Sequence, residues 1–333
     1  MKFNRVLNLD AVIRNCVICN SADHYNFEVV DNLKFTNTHS ICSECGLCFM
    51  NPMYTEKAYL HFYDGLYERY YGVKALSEIS KGCKGDQVGD FIKENIPSAK
   101  SVYEIGCGAG QNLAALRDYH NFKVSGCEPS KQACLIANEK FNLKIENKGS
   151  NNFEKKKIKN IDVICLLDVI EHLFDPLETL KKIYKYITNG KYLVIETLAL
   201  DIEYPPKGIQ GYFRIPHPFN FTTSSLKNLI EKSGFEIKKT TILGRGLIRI
   251  LAEKNSNFKI KKDFRSKENV LLCINSLRNK KLKFIFYKIK TFPFRIIFLI
   301  YNILLIKFLK QDNYKVENDR FYKFLRSKQV FWD

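Results

Sequence analysis

Two cysteine pairs stand near the N-terminus, Cys16-x-x-Cys19 and Cys42-x-x-Cys45-Gly46, with 22 residues between them. A C-x-x-C turn can aim two thiolates at one ion, and two such turns close a tetrahedron, so the spacing predicts a zinc site. Four sulfurs leave no open coordination position, so the Zn2+ expected at Cys16, Cys19, Cys42 and Cys45 is structural rather than catalytic. Cys48, three residues on, is read as a small buried apolar side chain. The chain has eleven cysteines, but residues Met1 to Arg5 lead into polar, charged sequence with no apolar signal core. That predicts a reducing cytoplasm, where paired cysteines serve metals rather than disulfides.

A second group of residues could cradle a nucleotide-like cofactor. Val102-Tyr103-Glu104-Ile105-Gly106-Cys107-Gly108-Ala109-Gly110 is an apolar strand running into a glycine turn and then a helix from Gln111 to Tyr119. Glycines at alternate positions let the backbone bend sharply and let a ligand reach main-chain N–H groups at the helix start. About twenty residues on, the next strand ends in Glu128-Pro129, where this class of fold places an acid to bond ribose hydroxyls. A third group is Leu167-Asp168-Val169-Ile170-Glu171-His172, at the end of another apolar run. Ligands of open α/β sheets lie at the carboxyl ends of strands, so Asp168, Glu171 and His172 face the cleft, with Glu171 and His172 alternatively starting the next helix.

The elements that must hold these groups follow from the pattern between Ser101 and Lys254, where short apolar runs alternate with helix-length amphipathic stretches. That is the signature of a parallel sheet with crossover helices. Strands are expected near 101–106, 122–127, 143–146, 161–167 and 191–197. Two more, near 235–243 and 247–253, are separated only by Gly244-Arg245-Gly246 and must form a hairpin, so the sheet ends antiparallel. The expected organisation is a loop-rich zinc module at 12–50, an aromatic helical connector at 51–96, a cofactor-binding domain at 97–254 and a basic helical region at 255–333.

The G-x-G-x-G turn with Glu104 two residues before its first glycine, and the Cys165 to Pro176 segment, resemble the corresponding motifs of class I S-adenosylmethionine-dependent methyltransferases. The resemblance covers roughly residues 82–254. It implies an α/β, seven-stranded Rossmann-like sheet and S-adenosyl-L-methionine as cofactor, held by Glu104, Gly106, Cys107, Gly108, Gly110, Glu128, Pro129, Leu167 and Asp168. The competing reading of the same spacing is a dinucleotide-binding dehydrogenase.

The cysteine pairs followed by Phe49-Met50-Asn51-Pro52 and Phe62-Tyr63-x-x-x-Tyr67 also resemble a bacterial family that joins a zinc-binding domain to a methyltransferase domain. That family includes sugar C-methyltransferases and enzymes of surface-polysaccharide synthesis. Its sugar C-methyltransferases carry Tyr-x-Glu-His after strand five. Here His217 matches the histidine, while Arg214 and Pro216 replace the tyrosine and glutamate. Forming a carbanion needs more acid/base machinery than deprotonating a hydroxyl, so the departure points to O-methylation of a sugar with His217 as base. His172 is the competing base. Asp168, Glu171 and His172 also echo the E-x-x-E-H motif that ubiquinone-type O-methyltransferases link to a metal. RNA methylation, sugar C-methylation and a non-enzymatic scaffold remain as alternatives.

Charge sets the expected partners. The net charge is +18, and residues 255–333 hold 19 Lys/Arg against 6 Asp/Glu, a net +13. Within that region Ile296 to Ile306 is strongly apolar but too short to span a bilayer, which needs about 20 residues. Lys281, Lys288, Arg295 and Asn302 recur every seven residues, as one polar stripe of a helix. Such a helix packs on the catalytic domain or a second subunit, or lies peripherally on the cytoplasmic membrane. The acceptor is expected to be a small molecule or saccharide rather than nucleic acid, because strand four lacks a Pro-Pro-Tyr signature and base-stacking aromatics are not interleaved with Lys/Arg in the zinc module. The oligomeric state stays open.

Overall fold

Alternating side chains build the N-terminal region as sheet rather than loop. The computed structural model describes residues 11–30, 36–55, 57–58, 83–203, 212–214 and 216–283. Strand β1 (Ala11–Val12) is followed by β2 (His24–Val30), β3 (Thr36–Cys42), β4 (Cys48–Met50) and β5 (Met53–Tyr54). β1 pairs with β5, while β2, β3 and β4 form an antiparallel meander. Residues 12–50 therefore carry more regular structure than the expected loop-rich module. In β3 the period-two pattern is masked by polar residues: Ser40 faces one side and bonds Asn26 at 2.6 Å, while His39 and Ile41 face the other.

Helix α1 (Lys84–Asn95) leads into the main sheet, whose strands are β6 (Ser101–Ile105), β7 (Lys123–Glu128), β8 (Glu146–Asn147), β9 (Val163–Leu167) and β10 (Tyr192–Leu198). Between them run α2 (Gln111–His120), α3 (Lys131–Phe141), α4 (Lys155–Ile158) and α5 (Pro176–Tyr186). All five residues of β9 are buried, as a parallel strand covered on both faces requires. Asp175 caps α5 by accepting from the Glu178 N–H at 3.0 Å, and Pro176 occupies its first turn, where no N–H is missed.

After β10 come β11 (Phe219–Asn220), α6 (Thr223–Lys232), β12 (Glu236–Gly244) and β13 (Leu247–Glu253). The main sheet has seven strands in the order β12-β13-β10-β9-β6-β7-β8. β13 lies antiparallel between β10 and β12, as the Gly244-Arg245-Gly246 turn dictates, and all three turn residues have positive φ. The fold is thus the α/β Rossmann-like sheet expected from the sequence, with β8 reduced to two residues.

β11 does not join the main sheet. It pairs with β4 and completes a four-stranded sheet in the order β11-β4-β3-β2, and Met50 N–H donates to Pro218 O at 2.7 Å. Cys16, Ile18, Cys42, Cys45, Leu47 and Phe49 accordingly share one core with Phe219, Phe221, Leu226 and Ile183. Arg14 ties the same region to α5, donating to Phe174 O at 2.8 Å and to Asp175 at 3.0 Å.

Residues 267–283 are helical and pack against both parts. A Cβ on Gly46 would lie 2.4 Å from Asn269 O, and Lys280 donates to Ile202 O at 2.8 Å and to the Tyr212 hydroxyl at 2.9 Å. The basic apolar helix expected over 280–310 lies outside the described residues apart from its first few positions. Most of the expected 51–96 connector, the Pro205-Pro206 loop and the apolar 296–306 stretch lie outside the described residues. Among the described residues no helix is long and apolar enough to cross a membrane.

Candidate active site

The carboxyl ends of β6, β7 and β9 meet at the glycine turn. Gly106, Gly108 and Gly110 have φ of 70°, 53° and 80°, the left-handed region that favours glycine. Their surroundings differ. A Cβ on Gly106 would lie 2.7 Å from Val169 and one on Gly110 2.9 Å from Leu143, whereas at Gly108 nothing lies within 4 Å. Gly106 and Gly110 are glycines for packing; Gly108 alone leaves main chain open to a ligand. The Glu128 carboxylate accepts from Gly108 N–H and from Ser130 N–H, each at 2.9 Å. Each oxygen keeps a lone pair for a ribose hydroxyl, and burial raises the carboxyl's pKa despite these bonds. Pro129 spans the turn between Glu128 and Ser130, its carbonyl held by Asn147 at 2.8 Å. Cys107, 5% exposed, is a buried thiol whose pKa burial raises.

Glu104 is buried on β6. Asn112 donates to its Oε1 at 2.9 Å, but Oε2 has no hydrogen-bond partner, and burial pushes its pKa up to about 7. An orphaned carboxylate oxygen beside an open glycine turn fits a ligand that brings a donor, such as the amino group of S-adenosylmethionine.

Leu167 closes β9, and the chain then bends through Asp168, a non-glycine residue at φ 54°. Its N–H donates to Glu196 O at 2.8 Å, and its carboxylate pairs with Lys84. Lys84 also reaches Glu196 at 2.9 Å, and Glu196 accepts from Arg249 at 2.8 and 2.6 Å. Sequence reading missed this network. Its signal was one acid in β10 and one base in β13, each amid apolar residues and, in the fold, directly opposite one another. Buried opposite charges require each other, since either alone would pay the full desolvation cost.

Past Asp168, a 3-10 turn (Ile170–His172) brings Glu171 and His172 inside. Glu171 is 5% exposed with Oε2 unpartnered, and burial, then the Asp168 charge, pushes its pKa up to about 8. The shift favours the protonated form of Glu171 near neutral pH. The His172 and His217 rings meet edge-to-face with centroids 4.6 Å apart. Carbonyl oxygens only accept, so His172 Nδ1–H donates to Pro216 O at 2.7 Å and His217 Nδ1–H to Tyr212 O at 3.2 Å. That tautomer leaves Nε2 as the basic nitrogen of His217. Burial lowers both histidines, His172 to about 4 and His217 well below its ordinary value, so both are neutral at pH 7. The fold thus brings His217 against His172, 45 residues earlier in the sequence and next to Glu171. It also adds Arg214, whose Nε is buried without a partner.

The four cysteines converge as expected. Ligand atoms of Cys16, Cys19, Cys42 and Cys45 all lie within 4.8 Å of one another, with Cys16–Cys45 and Cys19–Cys42 sulfurs 3.4 Å apart. Four thiols crowded this closely fit a tetrahedral Zn2+, which would hold them as thiolates. Cys48 packs instead with Ile41, Leu200 and Cys273.

Residues 83–240 match a family described as methyltransferase domain. Together with the sheet order and the glycine turn, this defines the chain as carrying a class I S-adenosylmethionine-dependent methyltransferase domain. Among curated proteins, the chain is 29% identical over 160 residues to a tRNA U34 carboxymethyltransferase of Helicobacter pylori, covering 44% of this chain and 60% of the relative. It is 28% identical over 161 residues to the enzyme of that name in Campylobacter jejuni, covering 44% and 55%. The match thus spans little more than half of the length of these relatives. Solved structures similar to it include the plantazolicin methyltransferase BpumL with SAH (TM-score 0.47, 16% identity, covering 59% of this chain and 94% of that one). Another is a methyltransferase of Thermotoga maritima (TM-score 0.43, 21% identity, 59% and 100%).

These relatives correct the expected partners. They are named for action on tRNA, not on a saccharide, so the exclusion of nucleic acid does not stand. The signature looked for on strand four was too narrow a criterion, because the apolar run ahead of Asp168 carries no acceptor-specific residue. Peripheral membrane association finds no support either.

Proposed function

We propose that the chain is a methyltransferase that modifies RNA. The observation that carries it is the open Cβ position at Gly108 beside the twice-bonded Glu128 carboxylate, a cradle for S-adenosylmethionine, in a chain whose curated relatives modify tRNA. The net charge of +18 supports a polyanionic acceptor. Gly108 and Glu128 hold the ribose end of the cofactor, Glu104 and Asp168 bracket the rest, and the bound sulfonium supplies an electrophilic methyl group. His217 Nε2 takes the acceptor's proton, with His172 fixing the ring's orientation by edge contact. Glu171, holding its own proton, donates a hydrogen bond. Residues 11–54 form a zinc-holding module and 83–254 the transferase unit. Incubating the protein with S-adenosylmethionine and bulk tRNA, then measuring nucleoside masses, tests this reading. A methyl increment on a nucleoside supports it; a carboxymethyl increment, seen only with a carboxylated donor, would place the chain with its relatives' chemistry. Unmodified nucleosides under both donors would refute it.

A further inference from the structure

His39 sits where an apolar side chain is expected. On β3 it shares a sheet face with Ile41, lies opposite Phe27 of β2, and packs toward the segment after β10. Its ring lies edge-on to Phe213 at 4.7 Å and stacks with Phe27 at 6.1 Å. It is fully buried, and neither Nδ1 nor Nε2 has a hydrogen-bond partner. Burial lowers its pKa to about 3, so the ring is neutral and offers one donor and one acceptor. An N–H···π contact with Phe213 would satisfy one nitrogen weakly at best. Each unmade bond is a desolvation cost with no return, and a phenylalanine would pack in the same aromatic slot without it.

The location turns this anomaly into a functional clue. Phe213 precedes Arg214, whose Nε is also buried and unpaired, and four residues on is His217. A charge on His39 would lower the basicity of His217. Buried unpaired polar atoms therefore occur on His39 of the N-terminal sheet and on Arg214, the residue that follows the Phe213 ring His39 packs against.

We propose that His39 belongs to the acceptor site and hydrogen-bonds the polar edge of a planar heterocycle, an unstacked nucleobase, that enters beside Phe27 when the Phe213 ring turns aside. The N-terminal module then supplies a substrate contact as well as a metal site. Aromatic faces with a neutral donor/acceptor imidazole suit a base, which stacks and presents both kinds of group along one edge. This rests on the RNA reading above, and the test separates the two.

His39→Phe and His39→Gln are compared with wild type by melting temperature, S-adenosylhomocysteine affinity and transfer of labelled methyl from S-adenosylmethionine into an extract of the source cells, split into RNA and small-molecule fractions. The expected result is that His39→Phe melts at or above the wild-type temperature and binds S-adenosylhomocysteine normally, yet transfers methyl at least tenfold less well at low acceptor concentration. His39→Gln, which keeps a donor and an acceptor, should recover part of the loss. Label in the small-molecule fraction would refute the RNA reading while the His39 comparison is still read there. Wild-type transfer by His39→Phe would overturn the proposal. So would equal loss in both variants, which also serves if His39→Phe fails to fold, since Gln should then keep more than a tenth of wild-type transfer.

Discussion

Gly106 and Gly108 have the same kind of backbone and opposite kinds of neighbour, so alanine at each separates packing from binding. Both have positive φ, and a Cβ in that region costs about 1–2 kcal/mol. At Gly108 that is the whole structural cost, because the methyl meets nothing within 4 Å. At Gly106 the methyl would lie 2.7 Å from Val169 Cγ2, adding an overpacking cost of about 1–3 kcal/mol. Gly108→Ala should lower the melting temperature by a few degrees and Gly106→Ala by roughly twice as much. Binding should run the other way. The Gly108 methyl projects into the space where a ligand meets main chain, so affinity for S-adenosylhomocysteine, read by calorimetry, should fall at least tenfold, about 1.4 kcal/mol. If Gly108→Ala binds as wild type does, or Gly106→Ala melts no lower than Gly108→Ala, the assignment of the cleft is wrong.

Other outcomes follow from the same geometry. His217→Ala should lower kcat by roughly 10² to 10⁴ with cofactor affinity unchanged. Because burial holds His217 well below its ordinary pKa, the wild-type rate should stay level through pH ~6.5 and fall only in more acid solution; a midpoint near 6.5 would mean an exposed base. Cys42→Ser should lose zinc by elemental analysis and destabilise the protein, whereas Cys48→Ala should keep the metal, since its sulfur packs with Cys273 outside the cluster. The apoprotein should be most stable near pH 6.5 by thermal melting. His39, His172 and His217 are neutral when folded and protonate on unfolding, so stability falls as pH drops below that value. Glu104 and Glu171 keep protons when folded and lose them on unfolding, so stability also falls as pH rises toward about 8. A melting temperature that climbs steadily from pH 5 to 8 would contradict this.

The main sheet was legible in sequence because each of its signals is local: the continuous apolar run of β9, the glycine turn after β6, and the Gly244-Arg245-Gly246 hairpin each specify their own geometry. The four cysteines were legible for the same reason. What was hidden depends on partners remote in sequence. β3 reads as polar loop until β2 and β4 pair with it, and Lys84 becomes a binding partner of Asp168 only once the fold closes over 84 residues of chain. His217 was found by motif, but its contact with His172 needed the segment before β11 to fold back across the sheet's edge. The exclusion of nucleic acid failed because nothing in the residues expected at the cofactor encodes the acceptor.

The pairing of β11 with β4 has a consequence for how the protein is made. The N-terminal sheet lacks its fourth strand until Phe219–Asn220 has been synthesised, about 170 residues after β4, a delay of roughly ten to thirty seconds at typical ribosomal rates. During that interval β4 presents an unpaired edge, and the Cys42–Cys45 turn lacks the helix at 267–283 that later packs on Gly46. Early capture of zinc by the nascent cysteines would hold the meander together through that wait. Zinc starvation would then reduce the yield of soluble protein during synthesis more than it harms molecules already folded.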